Sequence, residues 1–446
     1  MSATVSAKEA EPTLTLREKR VIRGAAVGQF VEWYDFLAYA TLAPILALNF
    51  FPAGNSSLAI LSTLAVYGAG FFMRPLGGMV CGRFGDRLGR RNILAMTVLL
   101  MGGSTLVCGL LPTYATAGVA APVILLLLRL IQGFAAGGEA SSMGPLVLES
   151  APKAKRGAWI AIAFAASYVP SAFAGFFVIG LDSVFGSDAA VQWVWRIPFL
   201  FGGVLAFVGF VIRSKVAESE EFVALADKGK LAKKPFKEAT AHHKKAMVLV
   251  CLIISALAVS AYTINSYMFT YLVNTIGMAQ VPATTSTSIS VIFIVLTLPY
   301  CGKLADRYGR KPLMITGAVF LAVTAYPAYL LCSVGTFSAA LGAQVILSAG
   351  VCLLGGGGYV TLYELFPTSV RSSGIGFAYN LGYAVFGGTV PFVNQLLVDV
   401  TGYALAPSFY LIVVSIVEIL VLRIVPETLG SDLKKSLFTS GRTARS

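Results

Sequence analysis

The sequence predicts an all-α polytopic membrane protein with twelve transmembrane helices in two six-helix halves. Three observations carry this: a composition too apolar for water, twelve apolar runs of spanning length, and a duplication at the ends of those runs. Of 446 residues, 57% are hydrophobic and 12% charged, against roughly 45–50% and about 25% in ordinary globular chains. A soluble chain of this size needs charge to cover its surface, which this one lacks, so lipid is the expected solvent.

A helix crossing a ~30 Å hydrocarbon core needs about 20 mostly apolar residues. Such runs lie near 23–50, 57–81, 92–111, 120–148, 157–181 and 192–213, then 246–277, 284–302, 312–332, 336–362, 371–399 and 403–425. Barrel strands would be about ten residues long and alternating, and no such pattern occurs. Residues 1–22 are polar, and the first apolar run is too long for a cleavable signal core. The expected organisation is a tail (1–22), a half (23–213), a linker (214–245), a second half (246–425) and a tail (426–446).

The net charge of +13 has a location. Of the 34 Lys and Arg, 31 fall in 1–23, 82–91, 153–156, 213–245, 303–311, at Arg371, or from Arg423 onward. All of these lie on one side of a twelve-span arrangement, and the opposite loops carry none. Lys and Arg favour cytoplasmic loops, so both termini are expected in the cytoplasm of a plasma-membrane (cell inner membrane) protein. The basic balance reflects topology and contact with lipid headgroups, not nucleic-acid binding. The six cysteines fall in or beside spans with no metal-ligand spacing, so they are expected to be packers. No metal is expected.

The duplication is read from three ordered matches. Gly82, Asp86, Arg87, Gly89 and Arg90 match Gly302, Asp306, Arg307, Gly309 and Arg310 at identical spacing, 220 residues apart. Glu149, Pro152 and Arg156 match Glu364, Pro367 and Arg371, and Val216–Ser219 matches Val425–Thr428. They follow spans two, four and six, then eight, ten and twelve.

These paired segments resemble the signature of the major facilitator superfamily. Within it, the run Val-Glu-Trp-Tyr-Asp-Phe at 31–36 resembles the metabolite:proton symporters, which carry citrate, 2-oxoglutarate, shikimate, and proline or betaine. So do Arg-Pro-Leu-Gly-Gly at 74–78, Arg-Leu-Ile-Gln-Gly at 129–133, Gly-Gly-Glu at 137–139 and Trp-Arg-Ile-Pro-Phe at 195–199. The chain stops about twenty residues after span twelve, without the heptad-bearing tail of the osmosensing betaine carriers. The resemblance implies a proton-coupled secondary transporter with no cofactor beyond the coupling proton. The first expectation for its cargo is a small organic anion, a mono-, di- or tricarboxylate. A zwitterionic or neutral solute such as betaine, proline or shikimate is the alternative. A membrane enzyme would need a nucleophile–base pair or metal cluster in the spans, and no span holds a His. A transport-dead receptor would usually carry an appended signalling segment, for which the linker is short. A monomer is expected.

Two like halves suggest one rocking against the other around a midplane site. At the span ends, Asp86 can sit at a neighbouring helix N-terminus, and Arg87 and Arg90 can pair with Glu149. Asp306, Arg307, Arg310 and Glu364 repeat the pattern, with Arg156 and Arg371 beside them. The glycines allow tight turns and close helix approach. Inside the spans, each ionisable residue is a functional candidate because it costs about 2.5–3.5 kcal/mol or more at the helix centre. Glu32 and Asp35 share a face of span one, and Asp35 lies roughly 18 Å along it, near the midplane. It is the first candidate for the proton, the alternative being a permanent ion pair with Arg74 or Arg129. Arg129, Gln132 and Glu139 form one stripe on span four, expected to face a central cavity, where Arg129 could grip a carboxylate. Arg74, close to the Gly82 segment, is read as structural or gating. Tyr262, Asn265 and Tyr267 are neutral donors that could orient a substrate. Glu418 on span twelve has no assigned role.

Overall fold

The computed structural model describes residues 15–51, 56–186, 189–215, 218–228, 235–435 and 437–438. The outer parts of both tails, part of the linker, and Val216 and Ala217 of the third repeat lie outside them. The expected twelve helices are present in order. The first half holds α1 (Leu16–Phe50), α2 (Ser56–Leu88), α3 (Arg90–Leu110), α4 (Ala120–Ser150), α5 (Arg156–Phe185) and α6 (Arg196–Ser214). The second holds α7 (Lys244–Thr275), α8 (Gln280–Tyr308), α9 (Arg310–Cys332), α10 (Phe337–Glu364), α11 (Arg371–Thr401) and α12 (Ala406–Ile424). Nine of the described helices are both long and apolar enough to span a bilayer. The other three, α1, α2 and α5, have 35, 33 and 30 residues, ample length at 1.5 Å per residue.

Several helices run past the hydrocarbon length and take in most of the repeated motif. Gly82 and Asp86 sit inside α2, not in a loop, and the chain turns only at Gly89 (φ 97°) and Gly309 (φ 106°). A side chain is strained at those two angles. Gly82 serves close approach instead: a Cβ there would lie 2.5 Å from the Ser372 carbonyl oxygen.

The halves meet through two equivalent pairs, α5 with α8 and α2 with α11. Bare backbone makes the second approach possible, since a Cβ on Gly78 would fall 1.8 Å from the Gly376 oxygen. One buried apolar cluster continues from α4 and α5 through α7 to α12. Large apolar side chains such as Phe72, Leu296 and Val323 point outward, as a helix surface against lipid requires. The linker forms two short helices, Glu220–Asp227 and Pro235–His242, lying at the end that carries the repeated basic motifs. This end is called the basic end below.

Helical regularity breaks inside α7 and α11. π-helical turns occupy Thr263–Tyr267 and Tyr271–Thr275 in α7 and Tyr383–Gly387 in α11. Such turns re-aim side chains and frequently mark functional sites.

Candidate functional site

Away from the basic end, the charges buried in the first half form three arginine–carboxylate pairs. Asp35 is the most enclosed. Arg129 Nη1 lies 3.1 Å from its Oδ2, Gln132 Nε2 donates to Oδ1 at 2.8 Å, and the Thr105 hydroxyl donates to the same oxygen. Arg129 lies over the Tyr39 ring at 4.2 Å and near the Phe36 and Tyr67 rings. Every member of this group belongs to the first half.

Glu32 is held differently. Arg74 Nη2 stands 2.9 Å from Oε1, but that oxygen has no aligned hydrogen bond. Gln29 Nε2 donates to Oε2 at 3.2 Å. Arg74 also reaches the other half, with Nε donating to Asn380 Oδ1 at 3.3 Å and the guanidinium 5.4 Å from the Tyr383 ring centre. This pair therefore sits on the seam.

Glu139 is bound by Arg213 in a two-pronged contact, with the Thr97 hydroxyl 3.4 Å away. Arg213 Nε also donates to the Gly24 carbonyl at 3.0 Å. The expected stripe on α4 is thus buried, but it faces the interior of its own half, not a central cavity. Glu139 is occupied because α6 ends where its last-turn arginine can fold back; by sequence position Arg213, the last residue of span six, counts with the basic residues at the span ends.

Between the halves lies a small chamber of about 10 Å³, roughly room for one water. Trp33, Tyr168, Tyr262, Asn265, Tyr359 and Tyr383 line it. Trp33 packs against Tyr262 and Tyr383 at ring separations of 5.9 and 6.2 Å. The Tyr168 and Tyr359 hydroxyls meet at 3.2 Å. Among the described residues Asn265 Oδ1 has no hydrogen-bond partner, though it is buried. Tyr262 and Asn265 are therefore at the chamber as expected. Tyr267 is not; it turns toward Gln395, 3.4 Å away. Sequence reasoning missed Trp33, Tyr168, Tyr359 and Tyr383. The π turn that aims Tyr383 leaves no signal in residue spacing.

The basic end is closed. Asp86 accepts the backbone N–H groups of Ser372 and Ser373 at 3.1 and 2.8 Å, at the start of α11. Asp306 accepts those of Gly157 and Ala158 at 2.8 and 2.9 Å, at the start of α5. Each aspartate therefore caps a helix of the opposite half, where the N-terminal dipole favours an anion. Glu149 takes Arg90 at 3.2 Å and also Arg371 from across the seam. Arg310 binds Glu364 at 3.2 Å. Arg156 donates to the Ser431 carbonyl at 3.1 Å. Arg87 and Arg307 face outward and are exposed, so Arg90 and Arg310 make the pairs. The third repeat completes the arrangement: Ser219 donates to Glu149 at 2.8 Å and Thr428 to Glu364 at 2.6 Å. Glu218 and Glu427 accept the N–H groups of Arg91 and Arg310, both at 3.0 Å.

A family model described as "Sugar (and other) transporter" matches residues 21–248 and 233–436. The chain belongs to that family. This transporter is similar to the ectoine/proline transporter ProP of Corynebacterium glutamicum, with 32% identity over 90% of this chain and 84% of the relative. It is also similar to the citrate-proton symporter of Klebsiella pneumoniae, with 32% identity over 86% of each chain. The solved proton:xylose symporter XylE, bound to 6-bromo-6-deoxy-D-glucose, superposes with a TM-score of 0.76 at 18% identity. The match covers 94% of this chain and 98% of that one, and it establishes the major facilitator fold.

The transporter is a membrane protein and not an enzyme. Among the described residues no cluster of three or more His, Cys, Asp or Glu is placed to hold a metal. Glu418 is buried on α12, its Oε1 without a hydrogen-bond partner among the described residues.

Proposed function

We propose that the transporter carries a small zwitterion across the plasma membrane in symport with a proton, by alternating access. The chamber is the observation that carries this reading. It lies on the seam, its walls are mostly aromatic, and the matched pair Glu32 and Arg74 stands behind its Tyr383 wall. Aromatic faces attract an onium group by about 0.5–2 kcal/mol each when desolvated, and the unpartnered Asn265 oxygen can take an ammonium N–H. Among the described residues Arg129 and Arg213 are each bound to a carboxylate inside the first half, which leaves Arg74 as the one arginine beside the chamber, a single cation that suits one carboxylate better than two or three. The zwitterionic alternative is therefore preferred to the organic anion first expected, in keeping with the similarity to the ectoine/proline carrier. The basic end is cytoplasmic, so the closed seal describes an outward-facing or occluded state of a carrier acting as a monomer. The proton is carried by one of the α1 carboxylates.

A competition experiment tests the substrate class. Cells expressing the transporter take up labelled proline while excess glycine betaine, ectoine, shikimate or citrate is added. The zwitterions should compete and citrate should not. Uptake of citrate with no uptake of proline, betaine or ectoine would overturn the reading.

A further inference from the structure

We propose that Arg74 receives the carboxylate of the substrate, and that a proton on Glu32 frees it to do so. The inference rests on the zwitterion reading and deepens it. Of the arginines in the three pairs of the first half, Arg74 alone touches the other half. Arg129 is enclosed by three rings and held by Asp35, while Arg213 is spent on Glu139 and two carbonyl groups. Glu32 is also the least satisfied carboxylate of the three pairs. Its Oε1 sits 2.9 Å from Arg74 without an aligned donor, whereas both oxygens of Asp35 are hydrogen-bonded. Tyr383 is the wall shared by Arg74 and the chamber, and Trp33 follows Glu32 in sequence.

The electrostatics follow from burial. A substrate carboxylate and an ionised Glu32 compete for one guanidinium, whose two-pronged face takes one carboxylate at a time. A proton taken up on Glu32 from the outer solution neutralises that carboxyl and leaves Arg74 a free cation. The substrate carboxylate then takes the place of Glu32 in a two-pronged hydrogen bond, with its onium group against Trp33, Tyr262 and Tyr383. When the proton leaves to the cytoplasm, Glu32 becomes an anion again, recaptures Arg74 and displaces the carboxylate. The exchange moves one proton per substrate. The charged groups facing Glu32 are Arg74 from α2 and the Glu139–Arg213 pair from α4 and α6. The titratable groups on the far side are Tyr262, Tyr379 and Tyr383 from α7 and α11, and Tyr363 from α10. Asn380 ties Arg74 to α11, so recapture of the arginine is felt by the helix that Asp86 caps.

The test is binding to the purified full-length transporter, titrated with glycine betaine and with proline from roughly pH 6 to pH 8. If a proton must bind with the substrate, parent affinity falls by about tenfold per pH unit once Glu32 is ionised. Glu32→Gln should bind at the parent's low-pH affinity throughout, with no slope. Arg74→Gln should lose binding, and Arg74→Lys, which keeps the charge but not the fork, should recover part of it. A parent-like slope in Glu32→Gln, or parent-like binding in folded Arg74→Gln, overturns the proposal. If the parent binds neither solute, the zwitterion reading fails, and infrared difference spectra between low and high pH decide the proton site. A protonated-carboxyl band that vanishes in Glu32→Gln supports it, and an unchanged band overturns it.

Discussion

Asp86 on α2 accepts the backbone N–H of Ser373 on α11 at 2.8 Å, so a side chain of one half caps a helix of the other. Asp306 repeats this toward Ala158 at 2.9 Å. Charge-assisted hydrogen bonds of this kind contribute about 1.5–3 kcal/mol each, enough to shift a two-state equilibrium by roughly tenfold or more. Asp86→Asn and Asp306→Asn should therefore weaken the closed seal and change the transport rate well beyond any change in expression. Uptake kinetics measured at equal membrane levels check this; parent-like kinetics in both variants would exclude a gating role.

The distribution of basic residues predicts which end faces the cytoplasm. In a version without its six cysteines, single cysteines at the exposed positions Arg83, Lys153, Lys237 and Lys303 should resist impermeant thiol reagents in intact cells. Cysteines at the exposed positions Ala115 and Ser333, between spans at the other end, should react. Labelling of any of the first four from outside would break the orientation.

Asp35 and Arg129 form a closed buried pair, and breaking such a pair leaves a stranded charge worth about 3–5 kcal/mol. Arg129→Gln should thus lower the thermal unfolding temperature of the purified protein. Restoring neutrality with the double variant Arg129→Gln, Asp35→Asn should recover much of that loss. If Asp35 is instead the proton carrier, Asp35→Asn alone keeps substrate exchange but loses uptake driven by a proton gradient. The two measurements together separate a structural pair from a coupling one.

Tyr383 touches Trp33, Tyr262 and the Arg74 guanidinium. Removing its ring with Tyr383→Leu should weaken betaine and proline binding by roughly tenfold, from the loss of one desolvated cation–π face. Tyr383→Phe should keep most of the affinity, since the ring face remains. A titration showing equal affinity in all three proteins would remove the ring from the site.

The fold was legible because its signals are local. Apolar length, charge sidedness and the Gly82–Arg90 and Gly302–Arg310 repeat are all read along the chain, and the helices fall where those signals lie. Glu32, Asp35, Arg74 and Arg129 also announced themselves, as charges where lipid makes charge costly. Their partners did not. Arg74 meets Asn380 across 306 residues, and Glu139 meets an arginine at the last residue of span six. The chamber aromatics are indistinguishable by type from other Tyr and Trp in apolar helices. Only the packing of two halves, and a π turn at Tyr383, sets them around one space.

Proton-driven accumulation in liposomes containing only the purified transporter tests the central claim most directly. With an outside-acid gradient imposed, labelled betaine or proline should rise inside above the external concentration. Collapse of the gradient with a protonophore should release the excess, and Glu32→Gln should equilibrate the solute without concentrating it. Equal accumulation with and without the gradient, or none beyond equilibration in the parent, would contradict the account.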